Sequence, residues 1–384
     1  MNLELITAIL FYLIIGFIIY KNRASVKIVD KIFFVYKWKK GVEYIRKLAH
    51  PEWFWKIVST ISIPICLFFI IFAMHTLITS SVTMLQTPNP TPTVGILLPG
   101  FQVPGTNLRL PFWYGIISIV VLAVVHEGSH GIIASVEKIK LKTAGAGLML
   151  FLPVAFVEPE FNSFIEANVL SRIRMLCAGS FANFVTAFLC ILLIGSVLTP
   201  WVSKGIEYTK VEIVDVTSGG PASLSGMTGN TIIVSFNNET ITNLTTFYEE
   251  LLEVAPGDNV TITTQNNSYV LATTPNPDNE SIAYLGILTE QEWDFKPELK
   301  NEYSDFILNI PLILIQLLMW VGNLNFAVGV FNLFPLWITD GGKIMIDLLS
   351  IIIRKRSILA LVVNLLFTFS LFLLLFNMFG PYFL

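Results

Sequence analysis

The chain has 384 residues, of which 54% are hydrophobic and only 13% charged, with a mean hydropathy of +0.70 and a formal net charge of −3. No ordinary water-soluble domain of this length is so apolar, which excludes a soluble globular protein and points to a polytopic membrane protein. The near-neutral charge says little about partners because it averages oppositely charged segments, and no nucleic-acid partner is expected.

A helix needs about 20 apolar residues to cross the hydrocarbon core, and six stretches qualify, at about 3–20, 57–80, 112–135, 173–199, 306–350 and 358–380. The first lacks a basic n-region and a small-residue cleavage pattern, so it is expected to be an uncleaved span rather than a signal peptide. The fifth is too long for one straight crossing. "NLFPLWITDGG" at 332–342 interrupts it with Pro335 and a Gly pair, and a helix broken at membrane depth is tolerated only where protein or a water-filled cavity covers the freed backbone groups. Cys66, Cys177 and Cys190 lie in apolar stretches without paired spacing, and buried reduced thiols are expected there.

Residues 21–56 hold ten Lys or Arg against three acids. Lys138, Lys140, Lys142, Arg172 and Arg174 follow the third span, and Arg354, Lys355 and Arg356 follow the fifth. The positive-inside rule makes these segments cytoplasmic. Both termini, the loop 81–111 and the segment 201–303 are then extracytoplasmic. The last carries four basic residues against fifteen acids and holds sequons beginning at Asn238, Asn243, Asn259, Asn266 and Asn279. The sequons support surface exposure.

That segment reads as a small β-rich domain. "VEIVDV", "NTIIVSFNN", "NVTITT" and "SYVLATT" are β-branched runs between turn residues, and "TNLTTFYEELLEV" has helical spacing before "APGD". Their order resembles a PDZ-like domain in permuted form, which implies peptide binding by strand addition. A plain spacer between helices is the alternative.

"VVLAVVHEGSHGII" at 120–133 puts His126, Glu127 and His130 inside the third span. Each costs insertion free energy, so each calls for a compensating role. H-E-x-x-H on a helix sets two imidazoles one turn apart on one face, able to share a tetrahedral Zn²⁺, with the Glu beside the metal-bound water. His126 and His130 fit as ligands and Glu127 as general base. The other two histidines, His50 and His75, sit at a membrane boundary and in an apolar span. A catalytic zinc usually takes a third protein ligand. Among the acids inside the spans, Asp340 alone follows the unwound stretch, whereas Asp347 is better explained by the membrane interface or by pairing with Lys343.

"HEGSH" at 126–130 and "NLFPLWITDG" at 332–341 together resemble the site-2 protease family of intramembrane zinc metalloproteases. "AFVEPEF" at 155–161, "LCAGSFANF" at 176–184 and the lead-in from "LLPGFQVP" to "LPFWYG" resemble further segments of the family. The resemblance covers roughly 95–200 and 305–352, with nothing carried over to the first two spans or the last. It implies zinc on His126, His130 and Asp340, acid/base work by Glu127, and a hydrogen bond from Asn183, and more weakly Asn332, to the substrate backbone or oxyanion. The stretch 144–161 is too interrupted for a helix and too apolar for a solvated loop. A re-entrant strand or hairpin beside the site, able to pair with an unwound substrate, is one expectation, and a shielding loop the other.

The expected architecture is a polytopic α-helical membrane protein of about six transmembrane helices, one broken, with an inserted extracytoplasmic β-rich PDZ-like domain. Its parts are two N-terminal spans and a basic cytoplasmic loop (1–95), the catalytic membrane core (96–200 and 304–353), the inserted domain (201–303) and a C-terminal span (354–384). The expected activity is hydrolysis of peptide bonds in or near transmembrane segments of membrane-protein substrates, with one Zn²⁺, in the plasma membrane of a prokaryote. A substrate ectodomain or peptide would meet the PDZ-like domain. The alternatives are a membrane zinc peptidase of another family, with a Glu as third ligand, and a non-catalytic sensor or scaffold.

Overall fold

A computed structural model describes residues 3–23, 25–29, 33–38, 40–103, 106 and 108–384. Asp30, Lys31 and Lys39 of the basic segment and Pro104 of the lead-in lie outside the described residues. The chain opens with α1 (Leu3–Lys21), β1 (Val26–Val29), β2 (Phe33–Trp38), α2 (Gly41–Leu48) and α3 (Glu52–Gln86). Next come α4 (Phe112–Val136), β3 (Leu141–Met149), β4 (Leu152–Pro159), α5 (Phe161–Glu166) and α6 (Val169–Leu193), which continues through a π-helical turn (Ile194–Leu198) into α7 (Thr199–Gly205). Then follow β5 (Ile206–Val216), α8 (Pro221–Leu224), β6 (Thr231–Phe236), β7 (Glu239–Thr240), α9 (Leu244–Leu252), β8 (Asn259–Thr264), β9 (Ser268–Ala272), β10 (Thr274–Asn276), β11 (Asn279–Tyr284) and β12 (Ile287–Phe295). The chain closes with α10 (Pro297–Glu302), α11 (Asp305–Leu333), α12 (Asp340–Ile352), α13 (Arg356–Phe379) and a 3₁₀ turn (Gly380–Tyr382).

Among the described residues six helices are long and apolar enough to cross a membrane: α1, α3, α4, the run Val169–Gly205, α11 and α13. They fall on the six apolar stretches of the sequence. Helix α3 is longer than its apolar stretch 57–80, beginning at Glu52 and ending at Gln86, because helical hydrogen bonding continues past the hydrocarbon boundary into residues such as Trp53, whose amphipathic ring suits the interface. The chain divides into two compact units, residues 1–195 with 314–384, and residues 196–313.

In the first unit α4 packs on α6, and α6 in turn on α3 and α12. Small residues permit the approach, as expected where dispersion rather than hydrophobic force holds helices together. Gly329 of α11 is one such point, since a Cβ there would lie 2.7 Å from the Phe184 ring. The chain at 144–161 is an antiparallel hairpin of β3 and β4, as one of the two expectations had it, with Met149 opposite Leu152. Its tip is apolar and exposed at Leu150 and Phe151. The Tyr12 hydroxyl, midway along α1, donates to the Phe151 carbonyl at 3.1 Å, which puts the tip level with the middle of a membrane-length helix.

The basic segment 21–56, expected as a loop, contains β1, β2 and α2. Strand β2 pairs with β3, giving a sheet in the order β1-β2-β3-β4. These strands are short, and although β1 pairs with the nearby β2, the partner of β2 lies more than a hundred residues away, from Tyr36 to Ala146 for example, so no local periodicity announces that pairing. Gly145 and Gly147 are required at the join. A Cβ at either would stand 2.3 Å from the Tyr36 carbonyl oxygen or 2.1 Å from that of Phe34.

The fifth apolar stretch is broken as expected, between Leu333 and Asp340. Thr339 caps the new helix, its hydroxyl accepting from the Gly342 N–H at 3.2 Å and donating to the Phe334 carbonyl at 2.5 Å, so the freed backbone is satisfied inside protein. Asp347 does not pair with Lys343. It is buried and forks onto Arg172 of α6, with Nη2–Oδ1 at 2.6 Å and Nε–Oδ2 at 3.0 Å. Lys343 instead lies 3.3 Å from Asp340 Oδ1. The guanidinium is favoured because its planar fork matches a carboxylate and its remaining nitrogen donates to the carbonyls of Ile165 and Ala167.

The second unit has its own core, centred on Ile213, Ile233, Phe236, Phe247 and Ile262. Its sheet runs β12-β5-β6-β8-β9, with β7 on the β6 strand. The strands and helix expected between Val211 and Thr274 are present. Strands β10, β11 and β12 were not anticipated. Strand β12 places Glu290, Glu292 and Asp294 at every second position of "ILTEQEWDF", and it becomes a strand by pairing along the whole length of β5.

Candidate metal centre

Helix α4 has the i, i+4 geometry that its H-E-x-x-H spacing demands. The Nε2 atoms of His126 and His130 stand 3.1 Å apart. Asp340, the first residue of α12, brings Oδ2 to 3.3 Å from His126 Nε2 and 3.0 Å from His130 Nε2. All three residues are buried, at 6, 7 and 7% exposure. The helix break aims the carboxylate: the α12 N-terminus folds back so closely that a Cβ at Gly341 would meet the Leu333 carbonyl oxygen at 1.9 Å.

These contacts fit a divalent ion held by two imidazoles and a carboxylate. His130 Nδ1 lies 2.7 Å from the Met175 carbonyl, which can only accept. Nδ1 therefore donates to that carbonyl, and in the neutral ring this leaves Nε2 with a lone pair for a metal. The three atoms converge within 3.3 Å of one another, and the ligand atoms of a tetrahedral zinc with bonds of about 2.0–2.2 Å stand roughly 3.3 Å apart. Helix α6 supplies the back wall. A Cβ at Gly179 would fall 2.4 Å from His130 Nε2 and 2.7 Å from His126 Nε2, so only glycine leaves room for both rings.

The triad opens onto a cleft of about 750 Å³, lined by Glu127, Asn332 and Lys343 and by apolar residues of α4, α11 and the β4 strand. Glu127 accepts from the Val157 N–H at 3.1 Å. Among the described residues β4 pairs with β3 on one side only, so this contact marks its second edge as the one facing the cleft. Asn183 is fully buried, and its carboxamide meets His126 Nδ1 at 3.1 Å. His50 and His75 are exposed and take no part. Sequence reasoning missed Gly179 and the Met175 carbonyl. The four-residue spacing of Met175, Gly179 and Asn183 on one helix face was the available signal.

A chain with membrane-length helices and a buried His-His-Asp cluster around an H-E-x-x-H helix has the form of a membrane metallopeptidase. The sequence model of Peptidase family M50 matches residues 114–377, and the chain belongs to that family, the site-2 protease family of metalloproteases. The match runs beyond the resemblance noted in the sequence, which ended at 352, and takes in most of α13. An uncharacterised protein of Methanocaldococcus jannaschii is 29% identical over 349 residues, covering 89% of this chain and 85% of its own. Among solved structures, the PDZ domain of an SdrC-like protein from Listeria monocytogenes is 16% identical with a TM-score of 0.20, over 22% of this chain and 90% of its own. The corresponding domain from Listeria innocua is 17% identical with a TM-score of 0.19, over 22% of this chain and 96% of its own.

Proposed function

We propose that the chain is an intramembrane zinc metalloprotease that hydrolyses peptide bonds in or near the transmembrane segments of membrane-protein substrates. The observation that carries this is the convergence of His126, His130 and Asp340 on an apolar cleft bordered by a strand edge. His126, His130 and Asp340 would hold zinc, which supplies a Lewis acid that brings a coordinated water toward a pKa of about 7 and polarises the scissile carbonyl. Glu127 removes the proton of the attacking water and returns it to the leaving amine. Asn332, on the cleft wall, offers a side-chain amide to the substrate backbone or its developing oxyanion.

A substrate helix must unwind before its peptide bond is attacked, and its exposed backbone groups then need partners in lipid. The free edge of β4 provides them by strand addition. The basic segments face the cytoplasm, and residues 201–303 lie on the opposite side as a PDZ-like domain that meets substrate ectodomains or peptides. The membrane is the plasma membrane of a prokaryote.

The test is metal analysis of the purified protein beside cleavage of a model transmembrane substrate by wild type and Glu127→Gln. The variant keeps its ligands and should retain zinc, while cleavage falls by about 10²–10⁴-fold, the range for loss of a general base. Near-normal cleavage by this variant, or a wild type without stoichiometric metal, rules the proposal out.

A further inference from the structure

We infer that Asn183 is a positioning residue for the metal ligand His126, acting through its amide oxygen, and not a group that touches substrate. This rests on the metallopeptidase proposal above. Three observations support it. First, Asn183 has no exposed surface, whereas Glu127 and Asn332 line the cleft and Asn183 does not. Second, its carboxamide stands against His126 Nδ1, on the side of the ring away from Asp340, with the amide placed so that Nδ2 is the atom at 3.1 Å. Third, with the amide so placed its oxygen is buried without a hydrogen-bond partner, an unfavourable state for an acceptor.

The chemistry of the ring decides which end of the carboxamide faces it. His126 Nε2 lies 3.3 Å from Asp340 Oδ2 and 3.1 Å from His130 Nε2. To act as a ligand it must present a lone pair there, so the ring proton sits on Nδ1. An Nδ1–H set against an NH₂ group opposes two donors. The two ends of a carboxamide are nearly isosteric, and the amide oxygen turned toward Nδ1 accepts that proton, so the acceptor that lacked a donor gains one. His130 is fixed in the same way by the Met175 carbonyl at 2.7 Å. Helix α6 thus holds both imidazoles in the ligand tautomer, one with a main-chain oxygen and one with a side-chain oxygen.

Partners of this kind typically change metal affinity by 10–100-fold, so zinc binding tests the assignment independently of catalysis. The zinc dissociation constant of the purified full-length chain is measured by chelator competition for wild type, Asn183→Leu and Asn183→Asp. Leucine keeps the volume and removes the acceptor, and affinity should weaken by about 10–100-fold. Aspartate restores an oxygen and should hold zinc within a few-fold of wild type. An unchanged constant in Asn183→Leu, or equal weakening in both variants, overturns the inference. A wild type that binds no zinc overturns the metalloprotease proposal beneath it.

Discussion

Gly179 carries a consequence separate from its helix propensity. Alanine is the better helix former by about 1 kcal/mol, so Gly179→Ala does not weaken α6 as a helix. The added methyl nonetheless falls 2.4 Å from His130 Nε2 and displaces both rings from their shared focus. Gly179→Ala should therefore stay folded while its zinc dissociation constant rises by at least about tenfold, in line with losses from misaligned ligands. Wild-type affinity in that variant would show that the rings move aside freely.

The break between α11 and α12 puts two carboxylates on one helix with different work. Asp340 meets the imidazoles, whereas Asp347 ties α12 to α6 through Arg172. Asp340→Ala should lose zinc and activity together. Asp347→Ala should keep zinc but lower the unfolding free energy by about 3 kcal/mol, because it leaves a mostly buried guanidinium without its partner. Zinc analysis and thermal melts separate the two, and loss of zinc from both variants alike would place the third ligand elsewhere.

The sheet offers a second test at this scale. Backbone groups alternate in direction along a strand, so the Ala155 N–H points the same way as that of Val157, toward the cleft. Ala155→Pro removes a donor from the free edge without touching the ladder to β3. Cleavage should fall about tenfold or more while zinc stays bound, if a substrate strand pairs there. Full cleavage by this variant would argue against strand addition.

Across the whole molecule, every proposed ligand and the base belong to the first unit, and residues 196–313 form the second. The Lys296 N–H donates to the Gly205 carbonyl at 3.0 Å, so the ends of the β-rich region adjoin. A short Gly/Ser linker can replace residues 206–295. That variant should bind zinc as wild type does and cleave a short transmembrane substrate at a comparable rate. It should also lose discrimination against a substrate with the same transmembrane segment and a bulky ectodomain. A folded, zinc-loaded variant inactive on both substrates would show that the β-rich region helps to build the active site.

Membrane residence, the span positions, the H-E-x-x-H pair and the helix break were legible in the chain itself. Hydrocarbon enforces long apolar runs, and one helical turn fixes the spacing of two ligands, so both signals are local. The position of Asp340, rather than Asp347, directly after the break was also a local signal, because Pro335 and the Gly pair mark where a helix cannot continue. Tertiary structure alone decided the rest. Strand β2 is held by β3, a partner far along the chain, and β1 adds to β2. Asp347 chose Arg172 because folding brings α6 to α12, and Asn183 met His126 because α6 lies behind α4. Contacts between residues distant in sequence leave no periodicity to read, since their free energy arises only once the helices have packed.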